Sequence, residues 1–186
     1  TNSPHGTAPM GSVVEGQSAG PVFQVAAAGA FEQMPGCPSF AEEALGPERL
    51  ESICLNECYN PSDRRRAIDR LEVIRIRPQT AAQEPLETRV EDPWRVFKCQ
   101  DAGEGCRAEF QDLDFGASDG EVVYYARAVQ VPTPAVNGGG FRCTYDDAGD
   151  CVDVNPCYTD ERTAPDDDCL AEIGERAWSS PIFVRP

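Results

Sequence analysis

The residues of this chain with the clearest chemical potential are its nine cysteines. A cysteine can act as a nucleophile, bind a soft metal ion or form a disulfide, and spacing helps to decide among these. Six of them form three local pairs, each across a short segment rich in Gly, Asp or Pro. The pairs are Cys99–Cys106, Cys143–Cys151 and Cys157–Cys169. This spacing predicts three disulfides that close loops, and it indicates an oxidising, extracytoplasmic compartment.

The other three cysteines, Cys37, Cys54 and Cys58, cannot all pair with one another because their number is odd. Three pairings are open, and each leaves one thiol over. The short Cys54-x₃-Cys58 spacing favours a bridge between those two, which makes Cys37 the candidate unpaired or intermolecular thiol. The same spacing fits a zinc knuckle or a redox pair, but no second knuckle is present and the only histidine is His5. A structural disulfide is therefore the favoured interpretation.

Catalytic chemistry finds little support in the residue pattern. A serine or cysteine nucleophile needs a positioned histidine as its base, and His5 lies between Pro4 and Gly6 in a polar leader. The acidic residues could supply a glycosidase carboxylate pair, but acidic loops alone do not predict a cleft. We therefore expect a chain without enzymatic activity of its own.

Two groups of acidic residues have the oxygen ligands that calcium prefers. The first surrounds a glycine turn and consists of Asp146, Asp147, Asp150 and Asp153. The second consists of Asp112, Asp114, Asp119 and Glu121. Neither has the spacing of an EF-hand loop, so solvated turns are the favoured interpretation and calcium is the candidate cofactor.

Aromatic residues offer a second type of binding surface. Tyr145 and Tyr158 lie in the acidic loops and are candidates for stacking on sugar rings. Trp94 and Trp178 lie in predicted strands, where aromatic residues usually face the core, so we expect both to be core residues.

The net charge of the 186-residue chain is −16 at pH 7. Nucleic-acid binding needs a basic surface, so this acidic excess argues against it. No apolar run reaches the roughly 18 residues that a membrane-spanning helix needs. The chain begins at Thr1 without a signal peptide. We therefore expect a mature or excised piece of a longer product, located extracellularly, on the cell surface or in the periplasm.

Alternating apolar residues predict six strands. They lie at 22–28, 71–77, 94–99, 106–111, 121–131 and 177–184. The strand at 71–77 has apolar residues on both faces, as a central strand does, and Pro181 is expected at an edge or bulge. Ser39 and Pro47 are start signals for two short helices that carry Cys54 and Cys58. The pattern predicts a mainly β protein, an antiparallel immunoglobulin-like β-sandwich with a short helical insertion and long disulfide-closed loops.

The domain organisation follows from the same pattern. Residues 1–20 are rich in Gly, Ser and Pro and predict an extended N-terminal arm. Residues 21–186 are expected to form a single β-sandwich domain. It contains the helical insertion at about 39–58 and an acidic, cysteine-rich loop at about 138–170.

Four motifs resemble a known bacterial family. They are Ala8-Pro9-Met10-Gly11, Leu71-Glu72-Val73-Ile74-Arg75-Ile76, Tyr124-Tyr125-Ala126-Arg127-Ala128 and Arg176-Ala177-Trp178-Ser179-Ser180-Pro181-Ile182. From about residue 8 to its end, the chain resembles the C-terminal β domain of domain-of-unknown-function family 3604. The N-terminal part of that family is similar to PHP-type metallophosphoesterases. The resemblance implies a non-catalytic domain, because PHP-type metal sites use several histidines and no position here matches them.

The resemblance also implies an incomplete sheet. In relatives, a further strand precedes the stretch that begins here, so this chain is expected to lack a strand and to leave a sheet edge open. An open edge can accept an extended segment from another molecule.

These observations predict a structural or interaction protein. Its expected partner is a second copy of itself, in a homo-oligomer or polymer to which the N-terminal arm donates a strand. Two alternatives stay open: an accessory C-terminal fragment of a PHP-like metallophosphoesterase, and a calcium-assisted carbohydrate-binding module.

Overall fold

The structure is a computed structural model that describes residues 7–16, 20–100, 105–117, 120–138, 142–158 and 169–186. The strands follow one another as β1 (Val13–Val14), β2 (Val22–Ala27), β3 (Phe31–Gln33), β4 (Pro61–Arg65), β5 (Ile68–Ile76), β6 (Val90–Lys98), β7 (Cys106–Gln111), β8 (Val122–Gln130), β9 (Thr133–Val136), β10 (Cys143–Tyr145), β11 (Cys151–Val154), β12 (Leu170–Ile173), β13 (Arg176–Trp178) and β14 (Ile182–Val184). The helices are α1 (Ser39–Leu45) and α2 (Pro47–Cys54). His5 and Asp119 lie outside the described residues.

The predicted β-sandwich is confirmed, and its two facing sheets are very unequal in size. The large sheet has the order β1-β14-β8-β5-β6, and β13 also pairs with β8. The small sheet consists of β2 and β7, which are antiparallel over six residue pairs from Val22–Gln111 to Ala27–Cys106. β1 runs parallel to β14, whereas β8 is antiparallel to β5, β13 and β14. Three further two-stranded sheets, β3–β4, β9–β12 and β10–β11, belong to the connections.

The core lies between the small sheet and the central strands of the large sheet. β5 has β6 and β8 on either side and is buried on both faces from Leu71 to Arg75, which confirms it as a central strand. In β8 the buried residues alternate with less buried ones, the period of a strand with one face on a core. These buried residues are Val122, Tyr124, Ala126 and Ala128. Phe23 and Phe110 of the small sheet stack with ring centroids 5.0 Å apart, and both pack against Tyr124 in the same cluster.

All six predicted strands are present, with changes at their ends. The last is split into β13 and β14, and Pro181 lies in the break. The short strands in the connections were not predicted, because they lack an alternating apolar pattern. In β11, for example, all four residues are exposed. The pairing of β10 with β11 therefore depends on the hairpin turn and the Cys143–Cys151 disulfide rather than on burial of one face.

A short part of the expected N-terminal arm belongs to the large sheet. Val13 and Val14 form β1 and pair with Phe183 and Val184 of β14. Hydrogen bonds extend this contact beyond the strand, since the Gly11 N–H donates to the Pro181 carbonyl at 2.9 Å. The arm thus covers the outer edge of the large sheet.

The helical insertion lies where it was expected. Pro47 opens α2 at a position where its missing N–H costs nothing, and α2 ends before Leu55, which has a left-handed backbone (φ 51°). Leu50 is the helix residue that anchors the insertion, with 2% of its surface exposed. In the described residues no helix has the length and apolar character needed to span a membrane.

Four disulfides are present, as is typical of proteins from oxidising compartments. The three predicted local bridges, Cys99–Cys106, Cys143–Cys151 and Cys157–Cys169, are confirmed. The first lies against the core, since Cys106 is 7% exposed and packs with Leu71 and Ala128. The second closes the exposed β10–β11 hairpin.

The predicted Cys54–Cys58 bridge is wrong, and so is the expectation that Cys37 is unpaired. Cys37 bonds to Cys58, with their Cα atoms 4.7 Å apart, and Cys54 holds the free thiol. The reason is tertiary, because the Cys58 N–H donates to the Gly36 carbonyl at 3.2 Å and so brings the two chain segments together. Cys54 ends α2, where its thiol donates to the Leu50 carbonyl at 3.2 Å.

Two disulfides of nearly equal loop length allow a matched stability test. Replacing both Cys99 and Cys106 by alanine is expected to lower the free energy of unfolding by about 2–3 kcal/mol, because this bridge packs against the core and links the large sheet to the small one. Replacing Cys143 and Cys151, which close a loop of similar length (sequence separations 7 and 8), should change it by less than about 0.5 kcal/mol. Urea unfolding followed by tryptophan fluorescence measures the free energy of unfolding of both double variants. An equal loss in the two variants would contradict the different roles assigned to the two disulfides.

Candidate functional site

The most prominent surface feature is a groove along the small sheet. Two cavities of about 310 and 250 Å³ open beside β2. Their walls have five residues in common, so the two cavities form one continuous groove. The shared residues are Met10, Val25, Ala26, Ala126 and Ser179.

The groove reaches the core because its floor is made of small residues. Ala126 and Ala128 of β8 are each 9% exposed and line it, together with Ile68 and Leu71 of β5. An alanine leaves unfilled the volume that a larger residue would occupy at the same inward position. The floor is thus a part of the sandwich interior that the small sheet covers incompletely, and it is mainly apolar.

One wall of the groove is a strand with an open edge. β2 pairs with β7 along one side, and within the described ranges no strand pairs with its other side. An open edge presents backbone N–H and C=O groups that can hydrogen-bond to another extended chain. An apolar floor beside such an edge is the arrangement that strand addition uses.

The other wall is formed by the N-terminal arm and by the segment around β13. Ala8, Pro9 and Met10 line the smaller cavity, and Met10 is 63% exposed. The arm is held by the Phe183 N–H donating to the Ser12 carbonyl at 3.0 Å and the Arg185 N–H donating to the Val14 carbonyl at 2.8 Å. The arm of this chain therefore already makes strand contacts at one lip of the groove.

One of the two tryptophans differs from expectation. Trp94 packs against the core cluster, as predicted, with its ring 5.9 Å from Phe110. Trp178 was expected in the core but is 59% exposed, because it lies on the short strand β13 at the rim of the groove. Tyr145 and Tyr158, the predicted surface aromatics, are 65% and 40% exposed. Sugar stacking by these two residues stays a prediction.

A buried ion-pair network joins the two sheets at the start of β2. Asp112, with no exposed surface, follows β7 and accepts two hydrogen bonds from Arg75 of β5, at 2.9 and 2.8 Å. It also accepts one from the Tyr124 hydroxyl of β8 at 2.6 Å. Arg75 in addition donates to Glu91 at 2.6 and 2.8 Å and stacks over the Trp94 ring.

The pKa values in this network follow from burial and pairing. Burial alone would raise the pKa of Asp112, but the hydrogen bonds from Tyr124 and Arg75 outweigh it and hold the pKa below its ordinary value of 3.8. Burial and the same carboxylate raise the pKa of Tyr124. Asp112 was proposed as a calcium ligand from the sequence, but its oxygens are already occupied by protein donors.

The candidate calcium ligands of the first group lie at the surface. Asp146, Asp147, Asp150 and Asp153 are exposed around the β10–β11 turn. One oxygen of Asp146 accepts the N–H groups of Ala148 and Asp150, at 2.9 and 3.0 Å, so this carboxylate orders the turn itself. Among the described residues, one group brings three metal-binding atoms within 4.8 Å of one another, and it consists of Cys37, Cys54 and Cys58. Calcium binding by the turn stays a prediction.

Comparison with known proteins does not extend these assignments. No family model, no curated protein and no solved structure matches the chain. The resemblance to family 3604 therefore stays a prediction that rests on the four motifs.

Reasoning from sequence did not find the groove residues. The one available signal was the run Ala126-Arg127-Ala128, which places two small residues at inward positions of an otherwise bulky strand. Nothing local to that run shows that a cavity opens beside β2 at these positions.

The Asp112 network makes stability depend on pH. Because the pKa of Asp112 is lowered in the fold, its contribution is fully present above the ordinary carboxyl range, about pH 4, and is lost as the pH falls through the lowered value. Asp112→Asn should cost about 3 kcal/mol at neutral pH, because Arg75 keeps its buried charge with a weaker partner. The unfolding free energy of this variant should also fall less steeply in acid than that of the wild type.

The neighbouring Asp114 provides a matched control. It is exposed, so Asp114→Asn should change stability by less than about 0.5 kcal/mol. Urea unfolding over a series of pH values measures all three proteins. A loss of equal size in both variants would show that the Asp112–Arg75 pair does not have the assigned role.

Proposed function

We propose that this protein is a non-catalytic, extracytoplasmic structural subunit that assembles with copies of itself by strand addition. The observation that carries the proposal is the open edge of β2 above an apolar groove that reaches the sandwich core. Four disulfides are in keeping with a location in an oxidising compartment.

The groove supports the acceptor half of this proposal. Its two cavities together run beside Phe23 to Ala28, which is the length of β2. An added strand would pair with the backbone of β2 and place alternate side chains over Ala126 and Ala128. Such a strand would cover the apolar floor that the two-stranded sheet leaves open.

The proposed occupant is the N-terminal arm of a second copy. A subunit with a net charge of −16 repels its own copies, but the first acidic residue of the chain is Glu15. Residues 1–14 can therefore approach an acidic neighbour without direct charge repulsion. Val13 and Val14 stay paired with β14 of their own copy, so the donated segment is residues 1–10.

The length of the arm also supports this occupant. A strand that covers the six residues of β2 spans about 20 Å. The ten residues before Gly11 can span at most about 35 Å, so they have enough length to leave one copy and pair with another. An arm that folds onto the groove of its own copy is the competing arrangement, and it predicts a monomer.

Filling the groove tests the acceptor. Ala126→Leu places a larger side chain in the cavity above β8 and should weaken self-association by about tenfold or more, because the donated strand loses its place. Ala81→Leu makes the same change at an exposed loop position and should leave association unchanged. Size-exclusion chromatography with light scattering over a concentration series measures both, and thermal melting verifies that the variants fold.

Two results of that series would contradict the proposal. A wild-type chain that is monomeric at every concentration would refute self-assembly. An Ala126→Leu variant that associates as well as the wild type would refute the groove as the acceptor.

Removing the start of the arm tests the donor. Deleting residues 1–10 retains β1, and residues 7–10 are exposed, so the melting temperature should stay within a few degrees. Self-association should be lost, because the donated segment is gone. A full-length variant in which the order of residues 1–10 is scrambled is the control for length and composition. Association that survives the deletion would exclude the arm as the donor.

A further inference from the structure

The insertion that carries α1 and α2 brings three sulfur atoms together. They belong to Cys37 in the loop after β3, Cys54 at the end of α2, and Cys58 just before β4, and all three lie within 4.8 Å of one another. The free Cys54 Sγ lies 3.5 Å from the Cys58 Sγ, which is itself bonded to Cys37. A thiol is thus held in contact with a disulfide.

Hydrogen bonds and the local backbone conformation hold the three cysteines in this arrangement. The Cys58 N–H donates to the Gly36 carbonyl at 3.2 Å, and the Gly36 N–H donates to the Glu57 carboxylate at 3.1 Å. The Cys54 thiol donates a hydrogen bond to the carbonyl of Leu50, the buried residue of α2. The left-handed residues Leu55 and Asn56 then turn the chain so that Cys58 comes back beside the end of the helix.

We propose that Cys37, Cys54 and Cys58 form a thiol–disulfide exchange centre. The Cys54 thiolate attacks the Cys58 Sγ, the Cys54–Cys58 bond forms, and the Cys37–Cys58 bond breaks. The electron pair of the broken bond leaves with the Cys37 Sγ, which takes up a proton from solvent, as Cys54 gave one up. One disulfide is lost and one is formed, so the step needs neither an oxidant nor a reductant.

The step requires one local movement. The Cys54 Sγ must leave the Leu50 carbonyl and move toward the extension of the Cys37–Cys58 bond, because exchange proceeds through in-line attack. Cys54 is the last residue of α2 and precedes two residues with left-handed backbones, so the movement is confined to the end of the helix. Leu50 stays in place one turn earlier.

The exchange changes which thiol the protein presents. In the structure the thiol is on Cys54, which is half-buried. After exchange it is on Cys37, whose exposed fraction is 9%. The centre therefore alternates between a state with a more accessible thiol and a state with a less accessible thiol. Its expected reaction partners are thiols and small disulfides. This inference is independent of the proposed strand addition.

Two serine variants of the full chain test the reach of Cys54. The wild type should have one free thiol per chain when titrated in denaturant, and Cys54→Ser should have none. Cys37→Ser should also have none, because Cys54 then bonds to Cys58. Two free thiols in Cys37→Ser would overturn the proposal, since Cys54 would be unable to reach Cys58 in the folded chain.

A time course on the wild type tests the exchange itself. The chain is kept at mildly alkaline pH, and samples are given a brief pulse of a maleimide, quenched with acid and mapped by mass spectrometry. Label is expected on Cys54 at first and later also on Cys37, together with a Cys54–Cys58 bridge. Label that stays on Cys54 alone, with Cys37–Cys58 intact after the longest incubation, would overturn the exchange.

Discussion

The buried carboxylate of Asp112 determines how the two sheets of this protein fit together. A buried charge is costly unless it is paired and hydrogen-bonded, and Asp112 finds its partners, Arg75 and Tyr124, on the central strands of the large sheet. Since Asp112 directly follows β7, its pairing holds the small sheet in one position. Gly20 lies at the same point, because a Cβ there would be 1.7 Å from the Asp112 carbonyl oxygen. The start of β2 is therefore held against the network as well.

This attachment explains why the sandwich is open elsewhere. A two-stranded sheet that is held at the start of β2 covers β5 and part of β8, but it does not reach the segment around β13. The alanines at 126 and 128 are buried, but they line a part of the interior that β2 covers incompletely, and the groove follows the open edge of β2 from there. The ion-pair network thus fixes the position of the small sheet, and the small sheet leaves the proposed acceptor groove open because it has only two strands. The arm, which contributes β1 to the large sheet, lies at the lip of the same groove.

The disulfides divide into two kinds with different physical roles. Cys99–Cys106 lies against the core and joins the end of β6 in the large sheet to the start of β7 in the small sheet. Cys143–Cys151 holds the exposed β10–β11 hairpin, and Cys157–Cys169 closes a segment whose sequence is acidic and has few apolar residues. The cluster of three cysteines in the helical insertion belongs to neither kind, because it contains a bridge and a thiol in contact. The odd number of cysteines requires such a leftover thiol, but its position beside a disulfide depends on the fold.

The sequence by itself determined the mainly β class, the six long strands, the two helices and the three local disulfides. These features depend on local signals: alternation of apolar residues, helix-start residues and pairs of cysteines across short turns. Only the tertiary structure decided the Cys37–Cys58 pairing, the exposure of Trp178, the pairing of Asp112 with Arg75 and the groove beside β2. Each of these depends on residues far apart in the chain, such as Arg75 and Asp112, whose contact is made when one sheet packs on the other. Local patterns contain no information on how much of the large sheet the small sheet covers. The way in which the two sheets pack determines where Asp112 is buried and which edge of β2 stays open.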